Sequence, residues 1–346
     1  MNQPVSQRDM EAVYAAAATP HKFGIVIEGE SGNAVDCPCV FRGPSDDAWY
    51  MVYACMNKVG YETHLARSDD LLHWTPLGTI LPFRKYGWDA WQACGGLALI
   101  DHRWDGAHCP GTHEGKYWMS YIGGALQGYE PDPLAIGMAW STTPDQPVEW
   151  MRVGDRPVLG PDDPDVRSFE ARTLYKSQII RDDARSLGSP FVMFYNGKQQ
   201  GLRGWERIGM AVSEDLIRWR RLGDGPVIDH QTGIAGDPQI ARMGDLWVMF
   251  YFGHVWKPRA FDTFACSRDL LHWTTWDGPH LVEPSEAWDS TFAHKPWLLR
   301  HNGVVYHFYC VVAGKRRAIG LATSVDLAAY RRVAAASDGQ AHGAAK

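Results

Sequence analysis

One phrase returns five times along this chain, and a sequence that repeats itself must stack or circle its copies. ARSDDLLHWTPLG from Ala66, AWSTTPDQPVEWMRVG from Ala139, AVSEDLIRWRRLG from Ala211 and ACSRDLLHWTTWDG from Ala265 share a small apolar pair, a serine, an acidic turn and a tryptophan. A truncated copy, LATSVDL, begins at Leu321. Two runs precede every copy. The first runs are CPCVF from Cys37, GGLALI from Gly95, KSQII from Lys176, DPQIAR from Asp237 and KPWLLR from Lys295. The second, rich in Tyr and Met, begin at Trp49, Tyr117, Phe191, Leu246 and Val304. Period-2 alternation, β-branched and aromatic content and Gly or Asp turns read as strands. Five antiparallel units of three or four strands, spaced about 54 to 73 residues apart, predict an all-β fold, a five-bladed β-propeller whose sheets turn about a channel. A β-sandwich would not repeat one phrase five times. Within SDDLLHW the Ser and Asp side chains are expected to close a tight turn on their own backbone, and the tryptophan to pack between blades.

SQRDMEAVYAAAA from Ser6 predicts a short helix, capped by Ser6 or Asp9 and stopped at Thr19 and Pro20. The expected organisation is a helical extension over 1–21, the propeller over 22–330 and a disordered tail over 331–346. Either the segment around Gly24 to Ile27 or the C-terminal segment must supply the strand that closes the ring. A net charge of -6 argues against a nucleic-acid partner, which needs a basic excess. No window approaches the roughly 18 apolar residues that span a bilayer, and no signal peptide is recognisable. A cytoplasmic protein with no membrane partner is expected. The helix offers a surface for a homo-oligomer contact. Seven cysteines, Cys37, Cys39, Cys55, Cys94, Cys109, Cys266 and Cys310, lack zinc-site spacing and read as reduced core thiols.

In a propeller the first strand of each blade lines the channel, so residues opening those strands converge on one mouth. They are Asp36; Trp88, Asp89 and Gln92; Glu170, Arg172 and Lys176; Asp237; and His294 with Lys295. An acid before a strand also serves as a turn cap, yet DCP and GDP recur before apolar strands in different blades. Carboxyls sharing a partly desolvated cup split their pKa values, one becoming a proton donor and another staying ionised. Glycosidic cleavage requires that splitting. Trp88, Trp91, Trp256 and Tyr195 offer faces for the C–H side of a sugar ring. Asn196, His254, Gln92 and Arg172 offer hydrogen bonds to hydroxyls.

These residues resemble those of the five-bladed propeller glycoside hydrolases, families 43, 32, 62, 68, 117 and 130, over roughly residues 22 to 328. The GYET, ERIGMA, GDPQ and AHKPW phrases are similar to those of bacterial proteins known only as glycosylases. The resemblance implies Asp36 as base or nucleophile, Asp237 as a pKa-tuning aspartate in contact with the sugar, and Glu170 in SFEART as general acid. His294 in AHKPW competes for that last role, as in family 117. It further implies an inverting hydrolase of a short oligosaccharide that needs no cofactor and no metal. Lys176, Lys295, Arg172 and His294 keep open a family 130-like phosphorylase. A non-catalytic sugar-binding propeller is the remaining reading.

Overall fold

The computed structural model describes residues 4–201, 204–254 and 259–330. The expected disordered tail lies outside the described residues. Five four-stranded antiparallel sheets surround a channel. Blade 1 comprises Ala34–Arg42, Trp49–Met56, Tyr61–Ser68 and Thr75–Leu81; blade 2, Gln92–Leu97, Tyr117–Gly124, Ala135–Ser141 and Met151–Arg152. Blade 3 comprises Thr173–Arg181, Phe191–Lys198, Glu206–Ser213 and Trp219–Arg221; blade 4, Ile234–Met243, Leu246–His254, Phe261–Ser267 and Thr274–Thr275. Blade 5 takes three strands from the end of the propeller, Phe292–His301, Val304–Ala313 and Arg316–Thr323, and its outer strand, His21–Ile27, from the beginning. The N-terminal segment therefore closes the ring, pairing antiparallel with Arg316–Thr323.

The repeated phrase is a turn held by its own side chains. Ser68, Ser213 and Ser267 Oγ accept from the backbone N–H of Leu71, Leu216 and Leu270 at 2.9, 2.9 and 3.0 Å. Those leucines sit at φ 68°, 64° and 67°, a left-handed conformation that costs energy and needs such bonds to persist. Trp74, Trp219 and Trp273 donate Nε1–H back to the same leucines' carbonyls, so the tryptophans serve packing. The helix Gln7–Ala17, capped by Ser6, turns Met10, Val13 and Ala17 against blade 4, and Tyr14 stacks on Trp276. Its apolar face is thus covered by its own chain.

At the inner ends of the sheets, four first strands shift register by a bulge. In blades 1, 4 and 5 the bulge puts Cys37, Asp237 and Lys295, each directly before a proline, at φ 52°, 51° and 63°. The far end of the channel is plugged. The segment after Leu99 crosses it, with Trp104 N–H on Arg242 O, Arg42 N–H on His108 O and His108 Nε2 against Arg300 O. A void of about 20 Å³ remains above this plug.

Where the closing strand meets the ring, His307 Nε2 lies 3.0 Å from Asp262 Oδ2, and its Nδ1 lies 3.3 Å from Thr19 Oγ1. Burial raises the Asp262 carboxyl well above the carboxylate range and drops His307 to about 3, with Lys22 adding to the latter. The pair is neutral, Asp262 keeping the proton it donates to His307. Asp262 Oδ1 meets no partner among the described residues, which a neutral carbonyl tolerates better than a carboxylate. Unfolding at neutral pH releases that proton, so the acid costs the fold stability once pH rises above about 4. Asp262→Asn should therefore hold or raise Tm at pH 7 in calorimetry. A drop of many degrees would mean an ionised Asp–His pair instead.

Candidate active site

The starts of the inner strands meet at a cavity of about 400 Å³. Of the expected residues, Lys176, Asn196, Asp237, His254, His294 and Lys295 line it. The bulge explains how Asp237 gets there. DCP and GDP align on their prolines, so Asp237 corresponds to Cys37 and Lys295, and Asp36 to Gly236 and His294. The two aspartates are one register position apart, and they face different surroundings.

Asp36 is fully buried behind the wall. Its Oδ2 accepts from Arg317 at 2.6 Å, Tyr61 OH at 2.9 Å and Lys295 at 3.0 Å, and its Oδ1 accepts from Cys37 N–H. Burial alone would raise its pKa, but Arg317 and Lys295 hold it well below the usual range. Both oxygens are engaged, Oδ2 three times and Oδ1 once. This aspartate fixes two cations that project into the cavity and has no free oxygen for water or substrate, contrary to the base role expected of it.

Glu170 lies outside the cavity. It accepts from Arg167, from Arg221 at 2.6 Å and from Tyr195 OH at 2.7 Å, with no exposed surface. The arrangement recurs. Asp89 accepts from Arg152 at 2.8 Å and Tyr121 OH at 3.0 Å, and Asp289 accepts from Lys22 and Tyr309 OH. Each blade concerned joins an acid before its inner strand, a tyrosine on its second strand and a cation on its outer strand. Trp88 stacks on Tyr121 at 5.6 Å as part of the same clasp. A device found at the same place in three blades holds blades together, so Trp88, Asp89, Glu170 and Tyr195 leave the expected site.

Gln92 is buried beneath a neighbouring loop. Arg172 donates to Asp132 at 2.6 Å near the rim, Trp91 packs edge-on against Phe83, and Trp256 lies outside the described residues. His294 has its Nδ1 against Cys310 O at 3.1 Å, and burial, Arg317 and Lys295 push its pKa well below the usual value. The ring is neutral, with Nε2 left as an acceptor and no proton to give.

Two glutamates not anticipated stand in their place. Glu206 opens the third strand of blade 3, where Asn196 Nδ2 donates to it at 3.2 Å and to Asp237 at 3.1 Å. Burial, the Glu130 charge and the Asp237 charge push its pKa up to about 8. Glu130, on the loop between the second and third strands of blade 2, meets Lys295 at 3.4 Å. Burial raises it too, against the pull of Lys295. Tyr129, Tyr175, Lys198 and Arg317 complete the polar wall, while Ile234, Phe252, Ala260 and Phe292 form an apolar one. A signal for Glu206 and Arg317 did exist. Seven residues before the serine of each phrase stand Tyr61, Leu134, Glu206, Ala260 and Arg317, a position with no common chemistry that lines the cavity in blades 3, 4 and 5. Among the described residues no group of three or more His, Cys, Asp or Glu is arranged to hold a metal.

The chain is similar to a solved structure described as a glycoside hydrolase, at 40% identity over 93% of this chain and 96% of that one, with a TM-score of 0.88. It is equally similar to a solved BT0996 RGII complex, at 40% identity, 93% and 96% coverage and a TM-score of 0.89. A thermostable family-43 glycoside hydrolase shares the fold at 14% identity, 85% and 91% coverage and a TM-score of 0.61. No family model and no curated protein matches the chain.

The clasp makes a stability prediction. Glu170→Gln leaves Arg167 and Arg221 without their buried counter-charge and should cost about 3–5 kcal/mol of unfolding free energy by urea denaturation. Unchanged stability would return Glu170 to the candidate proton donors.

Proposed function

The chain belongs to the glycoside hydrolases of five-bladed β-propeller fold, and on that premise we propose that Glu206 is its general acid and Glu130 the ionised carboxylate working opposite it. One observation carries this: two glutamates line a single cavity, and one of them is held near a pKa of about 8. Glycosidic cleavage asks for a carboxylic acid to protonate the leaving oxygen and a carboxylate to activate water or attack the anomeric carbon. Glu206 accepts from a neutral amide, and burial with the Glu130 and Asp237 charges outweighs Lys198 and Lys295, so it keeps its proton at neutral pH. Burial raises Glu130 as well, but its lysine at 3.4 Å opposes that, and Glu130 ionises more readily than Glu206. The task assigned to Glu130 is to draw a proton from water, the inverting route expected from the family resemblance. Asp237 tunes Glu206 through the shared Asn196 amide. His294 accepts from a sugar hydroxyl, and the apolar wall receives the C–H face of a ring.

The substrate is an oligosaccharide, and the relative described as a BT0996 RGII complex supports chemistry of that kind. The free thiols of all seven cysteines support the cytoplasmic location expected from the sequence. No helix among the described residues is long and apolar enough to cross a membrane. A phosphorylase stays the second reading, because Lys295 and Arg317 share the single charge of Asp36, Arg172 and Lys198 share that of Asp132, and Lys176 lines the cavity with its ammonium on Pro38 O.

Glu206→Gln and Glu130→Gln should each lower kcat/KM on aryl glycosides and short oligosaccharides by roughly 10²- to 10⁴-fold, with Tm preserved. In the native enzyme kcat/KM should fall as pH climbs through about 8, where the acid loses its proton. Two active variants would sink the assignment. Turnover that requires phosphate would move the reading to phosphorolysis, and a retained anomer by NMR would make Glu130 a nucleophile.

A further inference from the structure

The loop that carries Glu130, residues 125–134, has no helix or strand of its own, and Ala125, Leu126, Gln127 and Tyr129 are exposed along it. Something must hold its height above the cavity floor, since a carboxylate displaced by about 1 Å can cost a reaction two orders of magnitude. Gln92 is the side chain beneath it. Its Nε2 donates to Leu126 O at 3.0 Å and to Gly128 O at 2.9 Å, and its Oε1 accepts from Tyr61 N–H at 3.2 Å. The amide has no exposed surface. Its berth is made by two glycines: a Cβ on Gly60 would lie 2.9 Å from Gln92 Nε2, and one on Gly124 would lie 2.9 Å from Gln92 Cγ.

These contacts close a circuit. Tyr61 bonds Gln92 through its backbone and Asp36 through its hydroxyl at 2.9 Å. Asp36 holds Lys295 at 3.0 Å, and Lys295 holds the Glu130 carboxylate at 3.4 Å. The glutamate is thus gripped at both ends, by its side chain through Lys295 and by its own loop's backbone through Gln92. Gly128 N–H on Val59 O is the remaining backbone tie from blade 1, and Arg317 lies 5.0 Å from the Tyr129 ring beside it.

From this circuit we infer that Gln92 is a positioning residue that sets the place of the Glu130 carboxylate relative to Glu206. The inference rests on the assignment of those two glutamates above. Gln92 touches no substrate in this role; it acts through the loop. Because the Glu130 charge is one of the influences that raise Glu206, a loop that drifts upward must also let the Glu206 pKa fall. A residue that merely stabilises the fold would not move that limb of the pH profile.

The test is Gln92→Met, which keeps length and bulk and removes the hydrogen bonds, assayed on an aryl glycoside turned over by the native enzyme. We expect kcat to fall roughly 10- to 100-fold, KM to stay within about twofold, and the basic limb of the pH profile to move to lower pH. A normal kcat, or a lowered kcat with the basic limb unmoved, overturns the inference. Glu130→Gln in the same assay separates the two readings. If it is fully active, the assignment of Glu130 itself falls, whereas an inactive Glu130→Gln beside a native-like Gln92→Met removes only the role of Gln92. Should Gln92→Met fail to fold, Gly124→Ala, which presses only on side chains, Leu134 and Gln92 Cγ, gives a second perturbation that must move the same limb.

Discussion

Ring closure is the constraint on which the site depends. His21–Ile27 completes the last sheet from the beginning of the chain, and that pairing seats blade 5 against blade 1. Only then do Lys295 and Arg317 reach Asp36, 259 and 281 positions away in sequence, at 3.0 and 2.6 Å. A buried carboxylate without partners would take up a proton; with two cations it stays charged and fixes both of them. The electrostatics of the cavity are therefore a product of topology. Opening the ring would cost more than one strand's hydrogen bonds, because it would strand three charges at once.

The inner-strand bulge is the second device that shapes the site. An extra residue before each proline bends the strand and re-aims one side chain. In this chain the re-aimed residues are Cys37, Asp237 and Lys295, all of them lining the cavity. The positive φ of these non-glycine residues is a local cost, and such costs gather where a side chain must face a ligand.

Architecture was legible in the sequence because it is repetitive. Five copies of the phrase, four of them with a Ser–x–Asp–Leu turn, announce five blades, and in blades 1, 3 and 4 that turn folds by short-range hydrogen bonds that its own letters encode. The site was legible only in part, for the opposite reason. Acids that recur in register, Asp89, Glu170 and Asp289, clasp the outer strand of their blade, and reading Asp89 and Glu170 as chemistry mistook repetition for function. Glu206 and Arg317 stand where the repeat breaks. Glu130 sits on a loop outside the repeated phrase, between the second and third strands of blade 2, and only coordinates bring it to Lys295. Asp36 and Asp237 look equivalent as letters, yet a one-residue offset sends one behind the wall and the other through it.

The plug at the base of the channel decides the direction of traffic. With residues 100–108 drawn across that end, a sugar has one doorway, and both fragments of a cut chain must back out through it. A polymer cannot be threaded through such a vessel. Arrival of substrate and release of product therefore share one path along the axis.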